Sequence, residues 1–458
     1  MSTVVTRIPP SPTGRFHIGT ARTALFNYLF ARHHGGSVVF RSEDTDRARS
    51  KKEYEDEIIA GLTWLGISWD SFSRQSENTD RYHELLEKLV AEGKAYVSSE
   101  PAKDDQTKTV EVVRLKNPGA SITFTDLIRG DITFDTTELG DFVIARSMTD
   151  ALYHFAAVVD DMDAKISHVI RGEDGLSNTP RQILIQEALG APRPAYAHLP
   201  LILDDKRAKL SKRSGTATSV MDYRDEGFLP EAIVNYLALL GWNPGDDREE
   251  FSLEQLVEEF SLEHVQKSGA SWNRDKLLSV NQHWMRRLSD EDFIKHLDSA
   301  TADTRCQNAF QTPGVQQSRV HKAVPLLKDR AQTFAEAREM LSGELLCLFE
   351  KPSLDLAKLV AKEPTERPGM TKTALESLSE ALKSLPDDVS AESAKEALMS
   401  LADAEEAKGK GGRGGTLWPL RYALSGQERS PDPFTLISIL GREEAVSRVE
   451  KAIAILEG

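Results

Sequence analysis

The sequence predicts an α/β fold: a doubly wound parallel sheet split by an inserted module, followed by a mainly helical second half. Three observations predict it. Strand and helix patterns alternate with short joints over residues 3–66. The alternation breaks off near residue 95, gives way to short strand-like runs, and resumes at Ile166. From about residue 222 apolar residues recur at helical spacing. At 458 residues the chain exceeds a single core, and about three domains are expected.

TVVTRI (3–8) reads as a buried strand. From Ile18 the apolar positions Ala21, Leu25, Tyr28 and Leu29 fall at three- and four-residue steps, so a helix is expected until His34-Gly35-Gly36. SVVFR (37–41) is a second strand. The acidic turn Glu43-Asp44-Thr45-Asp46 follows, then a charged helix that ends near Leu65-Gly66. Strand–helix–strand order with short joints implies a parallel βαβ unit. A further helix begins near Arg81. SSEPAKDDQTKT (98–109) reads as a polar loop, and VEVVRL, SITFTDLI, GDITFD and GDFVIAR read as strands of an inserted, mostly β module. ISHVIR returns to the parallel sheet, and SNTPRQILIQEALG is a helix with Asn178 or Thr179 as N-cap and Pro180 in its first turn. AHLPLIL (197–203) is expected as one further strand, in one sheet with the first two. Lys408 to Gly415 holds five glycines among eight residues and reads as a mobile basic loop rather than a helix.

Composition narrows the function classes. The chain is 40% hydrophobic and 28% charged, as in an ordinary globular protein. No run approaches the roughly 18 unbroken apolar residues of a membrane span, and the N-terminus lacks a signal-peptide pattern. A cytoplasmic protein with no membrane partner is expected. Cys306 and Cys347 lie far apart without a CxxC, which argues for a reducing compartment and against structural zinc. The net charge of -15 disfavours nucleic-acid binding unless local basic patches supply it. The first fifty residues hold such a surplus: Arg7, Arg15, Arg22, Arg32, Arg41, Arg47 and Arg49 against Glu43, Asp44 and Asp46.

Two segments carry chemistry. SPTGRFHIGT (11–20) lies between the first strand and the first helix, where ligands bind in doubly wound folds. A helix N-terminus there offers N–H groups to phosphate, Gly14 and Gly19 allow close backbone approach, and His17 can hydrogen-bond developing charge. The decapeptide alone fits a tight turn with a solvated histidine equally well. KLSKR (209–213) crowds three cations beside a strand end, suited to clamping a triphosphate. Alone it fits a solvated basic face better.

Together the two change the reading. HIGT resembles the "HIGH" signature of class I aminoacyl-tRNA synthetases, and KLSKR resembles their "KMSKS" loop. RIPPSPTGRFHIGTARTALFNYLFARHHGG, RSEDTDRARS, VIRGEDGLSNTPRQILIQEALG, HLPLIL, LPEAIVNYLALLGW and GTLWPLRYALSG resemble the bacterial glutamyl-tRNA synthetase family. The resemblance is dense over 1–95 and 110–285, sparser through 290–400, and returns at 408–445.

The resemblance implies a Rossmann-type catalytic domain in two halves (1–83 and 158–206). It implies an acceptor-end-binding module (84–157), a KLSKR loop with a stem-contact domain (207–290), and a helical-cage anticodon domain (291–458). It implies ATP with Mg2+, L-glutamate and tRNA-Glu as partners, and a monomer. His17, Gly19, Asp174, Ile202, Lys209 and Lys212 match ATP-site positions, with His17, Lys209 and Lys212 stabilising the transition state. Arg7, Ser11, Glu43, Tyr153 and Arg171 match the glutamate site, Glu43 taking the ammonium. Lys410, Arg413 and Arg421 are tRNA-contact candidates, and a solvated basic face explains them equally well. The chain departs from the family at Thr20, where glycine is common, and at Ala157, where an asparagine is usual. Residues 146–153 lack the usual Asp-Gly-x-Pro-Thr before the tyrosine. The insertion is short and skips the cysteines that bind zinc in some members, so no zinc is expected. Two alternatives stay open: an enzyme that also charges tRNA-Gln, and a tRNA-binding paralogue without aminoacylation activity.

Overall fold

The computed structural model describes residues 3–101, 107, 109–204, 206–210, 219–298, 315–363, 365, 369–407 and 412–458. They fall into two compact units, Met1–Val280 and Asn281–Gly458.

In the first unit, β1 (Val5–Ile8), α1 (Ile18–His33), β2 (Ser37–Ser42), α2 (Lys52–Trp64) and β3 (Ser71–Arg74) build a three-stranded parallel sheet in the order β1-β2-β3. The strand β3 is not legible in SFSR, whose residues are mostly exposed and polar. α1 is buried on almost every side, with Leu25, Phe26 and Leu29 wholly inside. Such a helix has no strong polar face. Its buried Asn27 ties it to the sheet by donating to the Ile170 carbonyl at 2.9 Å, while Thr6 donates to the Asn27 carbonyl.

α3 (Thr79–Ala91) leads into the insertion. β4 (Ala95–Pro101), β5 (Thr109–Leu115), β8 (Phe142–Ser147) and β9 (Asp150–Ala151) form one antiparallel sheet in that order. Residues 98–101 are therefore strand, not loop: each pairs with a residue of β5, and cross-strand pairing overrides their polar composition. β6 (Ser121–Asp126) and β7 (Gly130–Asp135) leave the insertion and join β10 (His168–Gly172) and β11 (Ala195–Leu199) in a second sheet, β10-β11-β6-β7. α4 (Tyr153–Asp163) and α5 (Thr179–Leu189) flank β10, and Asn178 precedes α5 without a side-chain cap bond.

Two expectations are corrected here. The strands β1, β2, β10 and β11 form two ladders rather than one, and β1 meets β10 where Ser167 N–H donates to the Val5 carbonyl at 3.0 Å. Residues 197–203 are also not one strand. Pro200 lacks the N–H a ladder needs, and β12 (Ile202–Leu203) beyond it pairs with β13 (Ala270–Ser271). Between these lie α6 (Val220–Asp225), α7 (Pro230–Leu239) and α8 (Leu253–Glu259), and α9 (Arg274–Arg287) follows β13.

The second unit's described elements are helical, with α10 (Asp290–Asp298), α11 (Val315–Arg330), α12 (Phe334–Ser342), α13 (Leu356–Leu359), α14 (Met370–Lys383), α15 (Ala391–Ala407), α16 (Gly412–Ser425), α17 (Pro433–Leu440) and α18 (Arg442–Glu457). The glycine-rich basic segment is not loop throughout, because α16 starts at Gly412. Burial of Thr416, Leu420, Tyr422 and Leu424 outweighs the glycine penalty of its first turn. Residues 408–411 lie outside the described residues.

Candidate active site

A cavity of about 460 Å³ opens at the C-terminal ends of β1, β2 and β10. Its lining includes Arg7, His17, Gly19, Glu43, Tyr153, Arg171, Asp174, Ile202 and Lys209, drawn from sequence positions some two hundred residues apart. Ser11 is exposed and does not line it. Lys212 and Lys410 lie outside the described residues.

On one wall His17 caps α1: its Nδ1 accepts from Gly19 N–H at 3.0 Å. The cap puts Nδ1 in the acceptor role, so in the neutral ring the proton sits on Nε2. It also occupies one of the helix N–H groups expected to meet phosphate. A Cβ on Gly19 would lie 3.3 Å from that Nδ1, so glycine keeps the cap relaxed. At the cavity mouth Lys209 Nζ lies 2.7 Å from Asp174 Oδ2, and both side chains are more than half exposed. Leu210, buried beside them, anchors the start of the KLSKR segment by donating to the Ile202 carbonyl at 2.8 Å. The Ile202 side chain is core, as its strand pattern suggests.

Arg7 and Glu43 of the lining belong to a buried charge cluster. Arg41 on β2 reaches Asp161 at 2.6 Å and Glu43 at 3.0 Å, with Asp160 at 3.8 Å. Arg7 lies 3.5 Å from the same Asp161 and donates to the Ile170 carbonyl. Asp160 in turn accepts from Gln75, Asn78 and Tyr82. Burial works against the charge on Arg41, but Asp161, Glu43 and Asp160 outweigh it and raise its pKa. Burial holds the Arg7 guanidinium below its ordinary value, against the pull of Asp161. Burial also pushes the Glu43 carboxyl up, opposed by Arg41 and Arg7.

Arg171, on β10, is held differently. Its three nitrogens donate to His198 Nε2 at 3.1 Å, Gln182 Oε1 at 2.7 Å and Thr179 Oγ1 at 2.8 Å, and none of these is a carboxylate. Gly175 lies against the guanidinium so closely that a Cβ there would meet Nε at 2.8 Å. Arg22 is a further buried cation in the lining, bound to the Leu240 and Pro200 carbonyls, and burial lowers its pKa to about 10.

The cavity thus pairs cations from β1 and β10 with the carboxylate that follows β2, beside a capped helix start and a lysine. That combination suits a zwitterion carrying an extra carboxylate next to a polyphosphate. Residues 3–111 and 98–279 match the family described as "tRNA synthetases class I (E and Q), catalytic domain", and residues 291–453 match "Anticodon binding domain". The chain belongs to the class I tRNA synthetases of the E and Q type. Within that family it is 39% identical over 495 aligned positions to the glutamate–tRNA ligase of Moorella thermoacetica, covering 99% of this chain and 98% of the relative. It is 40% identical to that of Geobacter sulfurreducens, with each chain covered completely. A crystal structure of a glutamate tRNA ligase from Elizabethkingia meningosepticum in complex with its amino acid superposes with a TM-score of 0.83 at 32% identity, covering 99% of this synthetase and all of that chain.

The sequence alone does not mark Arg22, Arg41, Asp161 or His198 as site residues, because the contacts Arg22–Pro200, Arg41–Asp161 and His198–Asp126 cross long stretches of chain. The N-terminal arginine surplus is only partly at the surface. Arg7, Arg22 and Arg41 are buried, Arg32 pairs with Asp70, Arg49 with Asp46, and Arg15 with Asp222 and Glu57, so six of the seven are buried or held in ion pairs. Of the tRNA-contact candidates, Arg413 is exposed beside Asp403 at 2.8 Å. Arg421 donates to the Glu428 and Ser430 carbonyls and packs on Trp418.

Proposed function

We propose that the chain is an ATP-dependent glutamate–tRNA ligase acting in the cytoplasm. The observation that carries the reading is the grouping of Arg7, Arg171 and Glu43 around one cavity that His17, Gly19 and Lys209 also line. In this reading Arg7 and Arg171 hold the two substrate carboxylates, Glu43 the ammonium, and Tyr153 completes its hydrogen bonds, while Ser11, outside the lining, is not assigned a contact. Gly19, Asp174 and the Ile202 backbone receive the adenosine. A glutamate carboxylate oxygen attacks the α-phosphorus of ATP, the bond to pyrophosphate breaks, and glutamyl-adenylate forms. His17 Nε2–H, Lys209 and Lys212 stabilise the charge that builds on the phosphates. The 3′-terminal hydroxyl of the tRNA then attacks the acyl carbon and releases AMP. Mg2+ would arrive on the ATP phosphates and neutralise part of their charge. Among the described residues Glu43 and Asp174 are the carboxylates lining the cavity. One pairs with Arg41 and the other with Lys209, so the ion would be carried by the ATP phosphates rather than held by these carboxylates.

We retain residues 84–157 as the acceptor-end-binding module, 207–290 as the stem-contact domain and 291–458 as the anticodon-binding domain, with Arg413 as the preferred tRNA contact. The testing experiment is charging of purified tRNA-Glu and tRNA-Gln with labelled glutamate. Product on tRNA-Glu alone supports the discriminating ligase. Product on both establishes relaxed tRNA choice, and no product on either overturns the reading.

A further inference from the structure

We propose that His198 is a positioning residue for Arg171, locked by Asp126 in the form that carries its proton on Nδ1. The inference rests on Arg171 holding glutamate.

A guanidinium has only donors, so the 3.1 Å contact between Arg171 Nε and His198 Nε2 requires an unprotonated Nε2. The Thr179 hydroxyl lies 3.2 Å from the same nitrogen. The imidazole proton must then sit on Nδ1, which lies 2.6 Å from Asp126 Oδ2. Asp126 is fixed in turn by backbone N–H donors: His198 at 3.1 Å on Oδ2, and Ile128 at 3.0 Å and Arg129 at 2.9 Å on Oδ1. His198 and Asp126 are 0% and 1% exposed, so no solvent competes for either bond. Burial holds the imidazole below its ordinary pKa, in keeping with a neutral ring.

The arrangement explains why a histidine stands there. Arg7 and Arg41 share the carboxylate of Asp161, whereas the hydrogen bonds of Arg171 go to neutral acceptors. A carboxylate in place of His198 would orient the guanidinium equally well and cancel the charge meant for the substrate. A neutral imidazole orients without cancelling. Asp126, on the far side of the ring, supplies the negative charge that fixes the tautomer without touching Arg171. Because Asp126 ends β6, this chain of bonds also ties the inserted module to the amino-acid pocket.

Two measurements test it on the full-length protein. In 15N-histidine spectra at neutral pH, the His198 signal, assigned by its loss in His198→Gln, is expected to show the neutral Nδ1–H pattern. A protonated ring or an Nε2–H pattern overturns the proposal. In glutamate titrations, His198→Leu is expected to raise the KM for glutamate about 10- to 150-fold, the equivalent of one charged hydrogen bond. The KM for ATP should stay within about twofold. His198→Gln, whose amide oxygen can accept from Arg171, should recover most of the loss. A folded Leu variant with the wild-type glutamate KM overturns the proposal, as does a Gln variant no better than Leu. Should Leu not fold, the wild-type spectrum still decides. Failure of wild-type protein to charge glutamate at all would strike the proposed function instead, because the tautomer is read without turnover.

Discussion

Asp161 is a single carboxylate serving two buried arginines, and Asp161→Asn removes charge while nearly keeping shape. The new side chain can still accept from Arg41 Nη1 through its amide oxygen, so the 2.6 Å contact survives as a neutral bond. What goes is a large part of the compensation for Arg7 and Arg41, whose side chains are 4% and 2% exposed. Breaking one partner of a buried pair costs about 3–5 kcal/mol, and the surviving hydrogen bond places the expected loss near the lower figure, ~3 kcal/mol. For a cooperative unit of this size ~2–4 °C of melting temperature follow each kcal/mol. Calorimetry should therefore find the transition of the first unit lowered by ~6–12 °C. The control is Asp46→Asn, which removes an equally close partner (2.7 Å) from an arginine that is 73% exposed. Solvent and salt already screen that pair, and no measurable shift is expected. Equal shifts in the two variants would refute the argument that burial, not distance, gives the Asp161 contacts their weight.

Three further outcomes follow from the same geometry. His17→Asn keeps a side-chain acceptor for Gly19 N–H, so the melting temperature should hold while kcat falls about 100- to 1000-fold with little change in the KM for ATP; an unchanged kcat would return His17 to a purely capping role. Burial lowers the His154 pKa to about 4, and its Nδ1 has no hydrogen-bond partner among the described residues. Below pH ~6.5 the unfolded chain therefore binds a proton the native one refuses, and stability is lost as pH falls from there toward 4. His154→Phe should flatten that slope in melting curves, and an identical slope would exclude His154 as its source. In the second unit, Arg413→Ala should weaken tRNA binding and reduce the salt slope by about one. Arg421→Ala, which removes a donor from the half-buried Ser430 carbonyl and the packing on Trp418, should lower thermal stability instead, and filter binding beside calorimetry separates the two.

The early elements of the first unit are legible because local patterns and tertiary demands agree there. TVVTRI, the run from Ile18 and SVVFR each carry a single periodicity, and the glycines at 35 and 36 end the helix. HIGT and KLSKR are legible as a pair, since phosphate chemistry restricts what can stand at a strand-to-helix turn and at a strand end. The support behind them is not. Arg41 looks like the last residue of a strand and Asp161 like the tail of a helix, and only the fold brings them within 2.6 Å. His198 sits in an apolar run that reads as core. SSEP looks like loop because its composition is polar, yet an antiparallel partner satisfies its backbone. The glycines at 412–415 mislead in the same way, since helix-breaking tendency is a local cost that packing further along the same helix offsets.

The hairpin of β6 and β7 has a practical consequence for anyone who would transplant pieces of this protein. Because β6 pairs with β11 and its last residue buttresses His198, excision of residues 84–157 as a cassette would unzip the sheet that carries Arg171. Chimeras should exchange only the β4–β5–β8–β9 layer and leave 121–135 with its host.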